Sequence, residues 1–293
     1  MPWFAECGEI CRRDAALAPF TWYGLGGPAR WLVTPRSVAE LAEVVGACRS
    51  EGLAWKVLGK GANVLVRDAG FDGVVIRLTG PQWEQVTFTD AGFDAGAGAD
   101  FVQLVKRSVA LGRAGLEVLA GVPGTLGGIV RMNAGGRYGA IGDVIESVSL
   151  LTPEGAVEAW PAEKVGFAYR KTNLTGCVVL GAAGRLSVAS PADVDRRYRE
   201  IWTEKYRTQP PLAHRSSGCV FKNPGSAPAG RLIDEAGLKG ERRGGAQIST
   251  RHANFIVATE GATAQDVLDL IALAQDRVRE TAGVELQLEV EVW

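Results

Sequence analysis

Glycine sets the tightest limit on what this chain can fold into. It supplies 38 of the 293 residues and clusters between Gly59 and Gly142. A residue without a Cβ adopts positive φ and lets backbones approach closely, so this region predicts tight turns in place of long regular helices. Two readings follow: a loop-rich β domain, or a binding surface for a large ligand that carries phosphates.

Helix signals appear at three places outside the densest glycine. Ser37 with Glu40 three residues later reads as a capping box, followed by Val38, Leu41, Val45 and Cys48 on one face and a stop at Gly52. Asp100 opens a second helix with Phe101, Leu104, Val105 and Ser108 on one side, ending at Gly112. Thr263 opens a third, with Asp266 at the third position, an apolar stripe of Val267, Leu270, Ile271, Ala274 and Val278, and an end at Gly283. Short β-like runs lie at 55–58, 64–66, 74–78, 148–151, 157–160 and 178–180, with Pro153, Glu154 and Gly155 as a hairpin turn. Strands and helices mix without a regular βαβ repeat, which predicts an α+β fold. The polar stretch 190–209, itself readable as a helix, precedes Pro210 and Pro211 and is the expected domain boundary, with a smaller C-terminal α/β unit beyond it.

Bulk properties narrow the function. The length allows about two domains with proper cores. A net charge of −1 without a long basic run argues against a general nucleic-acid binder. Five scattered cysteines (Cys7, Cys11, Cys48, Cys177, Cys219) do not make a disulfide framework. Cys7 and Cys11 are half of a metal site that neither His214 nor His252 completes by spacing, so no metal is expected. The first residues lack an apolar signal core, and no apolar run is long enough to span a membrane, so the expected compartment is the cytoplasm.

Five segments carry chemistry. In the first, Gly59, Lys60, Gly61, Ala62, Asn63 and Val64 join two strands, and successive N–H groups in such a turn can cup a phosphate. The spacing fits neither a Walker loop nor a dinucleotide fingerprint, and by itself the segment is equally a structural turn. In the second, Gly121, Val122, Pro123, Gly124, Thr125, Gly127 and Gly128 run on to Asn133 and Gly135. Thr125 and Asn133 could hydrogen-bond a polar ligand there, such as a pyrophosphate or a flavin ring, in a space without bulky side chains. The third is Tyr169 and Arg170, which alone says little. The fourth, Gly218, Cys219, Val220, Phe221, Lys222 and Asn223, could bring a proton donor and an anion binder into one turn. The fifth is the C-terminal run from Leu286 to Trp293, where alternation would put Glu285, Gln287, Glu289 and Glu291 on one strand face, either solvated or functional.

Taken together and in this order, these segments resemble the UDP-N-acetylenolpyruvoylglucosamine reductases of peptidoglycan precursor synthesis. The likeness runs from Phe20 to the C-terminus and includes Gly24 to Gly27, the run Gly244, Gly245, Ala246, Gln247, Ile248 and Ser249, and then His252, Ala253, Asn254 and Phe255. The resemblance implies a two-subdomain FAD-binding region of the vanillyl-alcohol-oxidase (PCMH) type over 20–190 and a substrate-binding domain over 192–293. The short spacing from Arg170 to Cys219 is similar to the family's compact subgroup, which lacks a tyrosine-bearing loop over the substrate. It implies non-covalent FAD held by the two glycine-rich segments, NADPH as hydride source, and a UDP-sugar enolpyruvyl ether as hydride acceptor, with no protein partner required. Arg170 would stabilise an enolate, Cys219 would donate a proton, and Glu289 would act near the substrate carboxylate. Lys222, Asn223, Lys239 and Gln265 would contact substrate, and Arg207 its phosphates.

Three residues depart from the family pattern: Cys219 stands for the commoner serine, Ala62 for a serine in the first turn, and one extra residue lies between Gly135 and Tyr138. Two other readings remain open at this point. One is a flavin oxidase of the same wider fold, often linked covalently through His or Cys. The other is a nucleotide-binding protein without catalysis.

Overall fold

In the computed structural model, residues 2–6, 8–211, 213–225 and 227–293 are described. Cys7, half of the cysteine pair noted above, lies outside them. The chain forms two compact units and passes between them repeatedly. Unit 1 comprises residues 1–13, 31–59 and 73–204; unit 2 comprises 14–30, 60–72 and 205–293.

Unit 1 holds a five-stranded antiparallel sheet. Its strand order is Val157–Pro161, Ile145–Leu151, Val178–Arg185, Gly92–Gly96, Val86–Phe88. The expected hairpin joins the first two strands in this order, with the Thr152 N–H donated to the Ala156 carbonyl at 2.8 Å. A second sheet has the order Cys11–Ala16, Pro28–Val33, Phe71–Ile76, Trp55–Val57, the last pair parallel. The helix Val38–Ser50 buries Leu41, Val44, Val45 and Cys48 in the same hydrophobic cluster as Trp31, Val33, Val74 and Ile76. That cluster also takes in Phe101, Leu104 and Val105 of the helix Phe101–Ala110. Residues of both sheets and both helices therefore share one hydrophobic cluster.

Unit 2 has its own core. The helix Ala264–Ala282 buries Val267, Leu270, Ile271, Ala274 and Val278 beside Val220, Phe221, Ile248 and Ile256. Its sheet, Arg242–Arg243, Ala246–Ile248 and Ile256–Ala258, is an antiparallel meander. Among the described residues, no helix is long and apolar enough to cross a membrane.

The helix starts follow the sequence closely. Thr263 and Asp266 form a reciprocal capping box, and Asp100 accepts the Gln103 N–H at 3.1 Å. At Ser37 only half the expected box forms. Ser37 Oγ accepts the Glu40 N–H at 3.1 Å, while the Glu40 carboxylate turns to the Arg36 N–H at 2.7 Å and to its guanidinium. A charged partner beside the cap outcompetes the neutral backbone donor.

Two expectations change. The stretch 190–209 is mostly one helix, Pro191–Thr208, but the compact units do not divide at its start as the 20–190 and 192–293 regions do. Val194 and Ile201 of this helix are buried, and Val194 belongs to the core of unit 1. Its polar surface hid that attachment. The C-terminal run is not one alternating strand. Only Glu291–Val292 pairs regularly, parallel to Val64–Leu65, and Leu288 makes a single bridge to Phe221. Two successive N–H groups, of Glu289 and Val290, converge on the Val220 carbonyl, which breaks a strict alternation of faces.

Candidate active site

Gly59, the first residue of the first glycine-rich segment, meets the second segment within unit 1. A Cβ added at Gly59 would fall 2.4 Å from Thr125 Oγ1, so only glycine lets the two turns approach this closely. Thr125 precedes the short helix Leu126–Arg131 but makes no side-chain capping hydrogen bond to it, and is half-buried. Gly121, Val122 and Pro123 are half-buried as well, beside a buried Gly124. The Gly127 N–H is donated to the Ala97 carbonyl at 2.8 Å, and Gly128 is exposed. This leaves a partly open backbone surface without large side chains, which fits the pyrophosphate and ring edge of a flavin dinucleotide.

Asn133 also has a structural role that its residue type did not suggest. It is buried at positive φ, its Nδ2 donates to the Ala168 carbonyl at 2.8 Å, and its Oδ1 accepts the Gly142 N–H at 3.0 Å. With both ends of the amide engaged internally, it is a staple between the glycine segment and the turn that carries Arg170.

That turn is closed by reciprocal bonds between Ala168 and Lys171, at 2.9 and 3.1 Å. Arg170 sits in it at φ +53, a left-handed conformation that disfavours a residue with a Cβ by roughly 1–2 kcal/mol. Its guanidinium donates to the Gly135 carbonyl at 2.7 Å and stacks on Tyr169. Neither the left-handed backbone of this arginine nor its tie to Gly135 could be read from sequence spacing.

Unit 2 brings the first, fourth and fifth segments together. The Glu289 N–H is donated to the Val220 carbonyl at 2.8 Å, directly after Cys219, and the Lys222 N–H to the Gln287 carbonyl at 2.8 Å. Asn63 Nδ2 donates to the Glu289 carbonyl at 2.9 Å, and the Glu291 N–H returns to the Asn63 carbonyl at 3.0 Å. Asn63, expected on the cofactor, thus also fastens the strand that carries Glu289. Ala62 and Val64 flank it, both half-buried. Cys219 and Glu289 are themselves half-buried. Tyr23 is fully buried, and burial pushes its phenol up to about 12 against the opposing effect of Ser217.

The remaining substrate candidates divide. Asn223 Oδ1 accepts the Ala229 N–H at 3.0 Å at the start of the helix Ala229–Glu235, and Lys239 follows that helix, paired with Asp234 at 2.8 Å. Arg207 is exposed in the last turn of Pro191–Thr208. Gln265 stands at the start of Ala264–Ala282, where its N–H reaches Asp68 at 3.0 Å and its amide reaches Asp269 at 2.7 Å. Neither partner belongs to the segments that carry Cys219 or Glu289. Asn254, which carried no assigned role in the sequence, lies in the middle of this group and is taken up below.

Comparison with known proteins fits this geometry. Residues 29–159 match the FAD binding domain family. With the α+β architecture and the glycine surface, that match defines an FAD-binding flavoprotein. Residues 209–293 match the family described as UDP-N-acetylenolpyruvoylglucosamine reductase, C-terminal domain. The UDP-N-acetylenolpyruvoylglucosamine reductase of Heliobacterium modesticaldum is 41% identical over 97% of this chain and 91% of its own length. That of Anaeromyxobacter dehalogenans is 45% identical over 100% of this chain and 89% of its own. The crystal structure of UDP-N-acetylenolpyruvylglucosamine reductase from Thermus caldophilus superposes with a TM-score of 0.84 at 40% identity, covering 97% of this chain and 100% of that one. The chain belongs to the UDP-N-acetylenolpyruvoylglucosamine reductase family.

Gly61 offers a direct check on the first turn. It sits at φ +62, and an added Cβ would fall 2.2 Å from the Phe20 carbonyl oxygen. Gly61→Ala should therefore lose roughly 1–2 kcal/mol from backbone strain alone, before the clash is counted, and should purify with less bound flavin. Urea unfolding and flavin absorbance test this; an unchanged midpoint with full flavin content would mean the turn tolerates a side chain.

Proposed function

We propose that the protein reduces the enolpyruvyl group of UDP-N-acetylglucosamine enolpyruvate to give UDP-N-acetylmuramate, with non-covalent FAD and with NADPH as reductant, in the cytoplasm, as a step of peptidoglycan precursor synthesis. The observation that carries this reading is the assembly in unit 2, where the backbone that follows Cys219 is directly hydrogen-bonded to the run that carries Glu289, in a chain of this family. FAD would be held by the glycine-rich segments at 59–63 and 121–128 and, when bound, would supply the hydride chemistry between NADPH and the terminal alkene carbon.

The chain's own residues handle charge and protons. As the alkene carbon gains hydride, negative charge moves onto the neighbouring carbon and its carboxylate. Arg170 stays protonated and presents a planar fork suited to that carboxylate. Glu289 would act near the substrate carboxylate. The Cys219 thiol gives its proton to the carbon next to the carboxylate, which completes reduction of the double bond, and the thiolate regains a proton from solvent. An unperturbed thiol, with a pKa near ~8.5, is mostly protonated at neutral pH and is a stronger acid than an alcohol. Lys222, Asn223 and Lys239 carry the charge and amide groups that a nucleotide sugar needs; Arg207 would meet its phosphates.

The deciding experiment is anaerobic. NADPH should bleach the flavin of the purified protein, and addition of the enolpyruvyl UDP-sugar should restore its absorbance. A flavin that stays reduced with this substrate, but that an alcohol or sugar reduces and oxygen reoxidises with release of hydrogen peroxide, would favour an oxidase instead. The cofactor released by heat should be FAD. Release of FMN, or flavin that remains on the denatured chain, would refute the non-covalent FAD assignment.

A further inference from the structure

The run His252, Ala253, Asn254, Phe255 is distinctive in the sequence but takes no part in the chemistry above. Asn254 is 2% exposed. Its amide grips one residue from both ends: Nδ2 donates to the Phe221 carbonyl at 2.8 Å, and Oδ1 accepts the Phe221 N–H at 2.9 Å. Its own carbonyl accepts the Val220 N–H at 2.8 Å. Its N–H is donated to His252 Nδ1 at 3.2 Å. Burial, and then the nearby Lys239 ammonium, lower the imidazole's affinity for a proton, which keeps Nδ1 available as an acceptor. Every hydrogen-bonding group of one buried asparagine is thus engaged, and three of the four hold the two residues that follow Cys219.

The same two residues are bound by the C-terminal run. The Val220 carbonyl accepts the N–H groups of Glu289 and Val290, and Phe221 bridges to Leu288. Backbone pairing alone would allow the segment to shift by a residue along its partner. A side-chain amide that fits one peptide unit at both ends removes that freedom. A leucine of similar volume would fill the space but leave the Phe221 N–H and carbonyl without these partners.

We propose that Asn254 is a positioning residue for the proton-transfer step: its clamp on Phe221 sets where the Cys219 thiol stands relative to the carbon that receives the proton. It acts through the backbone of Val220 and Phe221. The inference rests on the function proposed above.

Asn254→Asp tests it. The variant keeps the size and the acceptor but turns a second carboxylate oxygen toward the Phe221 carbonyl. Anaerobic stopped-flow absorbance should show flavin reduction by NADPH close to the wild-type rate. Reoxidation by the enolpyruvyl UDP-sugar should slow by about 10–100-fold, the scale of a misplacement near 1 Å, with a larger solvent deuterium isotope effect on that step. In a Cys219→Ala background the aspartate substitution should slow reoxidation no further, because the group it positions is gone. Should the aspartate variant fail to accumulate, Asn254→Ser, which leaves room for a bridging water, carries the same comparison. Equal slowing of both half-reactions, a wild-type reoxidation rate, or effects that multiply with Cys219→Ala would each overturn the inference and leave the reductase function standing. Failure of the wild-type flavin to reoxidise with the sugar substrate would instead overturn the function itself.

Discussion

Cys219→Ala is expected to accept hydride from NADPH at the normal rate and then to stall with substrate bound. The alanine has no proton to give, whereas the residues assigned to the cofactor are untouched. Cys219→Ser should retain substantial turnover, since a hydroxyl delivers the same proton from nearly the same place. Alkylation of the wild type should abolish turnover, bound substrate should protect, and the serine variant should be resistant. The structure sharpens that last arm. Cys48 is fully buried and its thiol is pushed up to about 11, chiefly by burial, and burial also raises that of the buried Cys177. Cys11 is buried too, whereas Cys219 is half-buried. Among these four cysteines the most accessible thiol is expected to react first. An alanine variant that reoxidises its flavin with substrate as fast as wild type would remove Cys219 from the mechanism.

Arg170 and Glu289 should separate the two half-reactions. Neither is assigned to hydride entry, so Arg170→Ala and Glu289→Ala should leave reduction by NADPH nearly intact. Both should slow reoxidation by substrate, on the order of 10²–10³-fold for loss of one preorganised partner of developing charge. The structure makes the two residues unequal controls. Glu289 joins the Val220 carbonyl through its backbone N–H, so truncating its side chain leaves that pairing in place. Arg170 also holds the Gly135 carbonyl from a left-handed backbone. Its alanine variant therefore relieves no strain and loosens the end of the glycine segment. Arg170→Lys, which keeps the charge but loses the planar fork, distinguishes the effects. If charge is what matters, lysine should recover part of the reoxidation rate; if both half-reactions slow equally in all three variants, the defect lies in the cofactor site and the assigned roles fall.

Much of the local architecture was legible because it depends on short-range rules. Thr263 with Asp266 and Asp100 before Phe101 cap their helices in the structure as their spacing predicts. The stripe of Val267, Leu270, Ile271, Ala274 and Val278 is buried, as its period requires. The turn at 153–155 joins two paired strands. The same logic failed where a residue answers to distant partners. Asn133 was read as a ligand contact from its type, and the amide bonds that join it to Gly142 and Ala168 could not be read there. Glu40 fits a capping box by spacing, and Arg36 captures its carboxylate.

By itself, the sequence determined the α+β class, the helix caps, the glycine turns and the family, because each is carried by residue types at fixed short spacings. Only the tertiary structure decided how the chain is shared between two compact units, since strands such as Pro28–Val33 and Phe71–Ile76 pass from one unit into the other partway along their length. It alone put Asn63, Val220, Asn254 and Glu289 into one hydrogen-bonded group next to Cys219, although Asn63 and Glu289 are 226 residues apart in the chain. It also set Arg170 at positive φ with its guanidinium on Gly135. The physical reason is the same in each case: a buried peptide or amide group must find a partner, and which partner is within reach depends on how the whole chain packs.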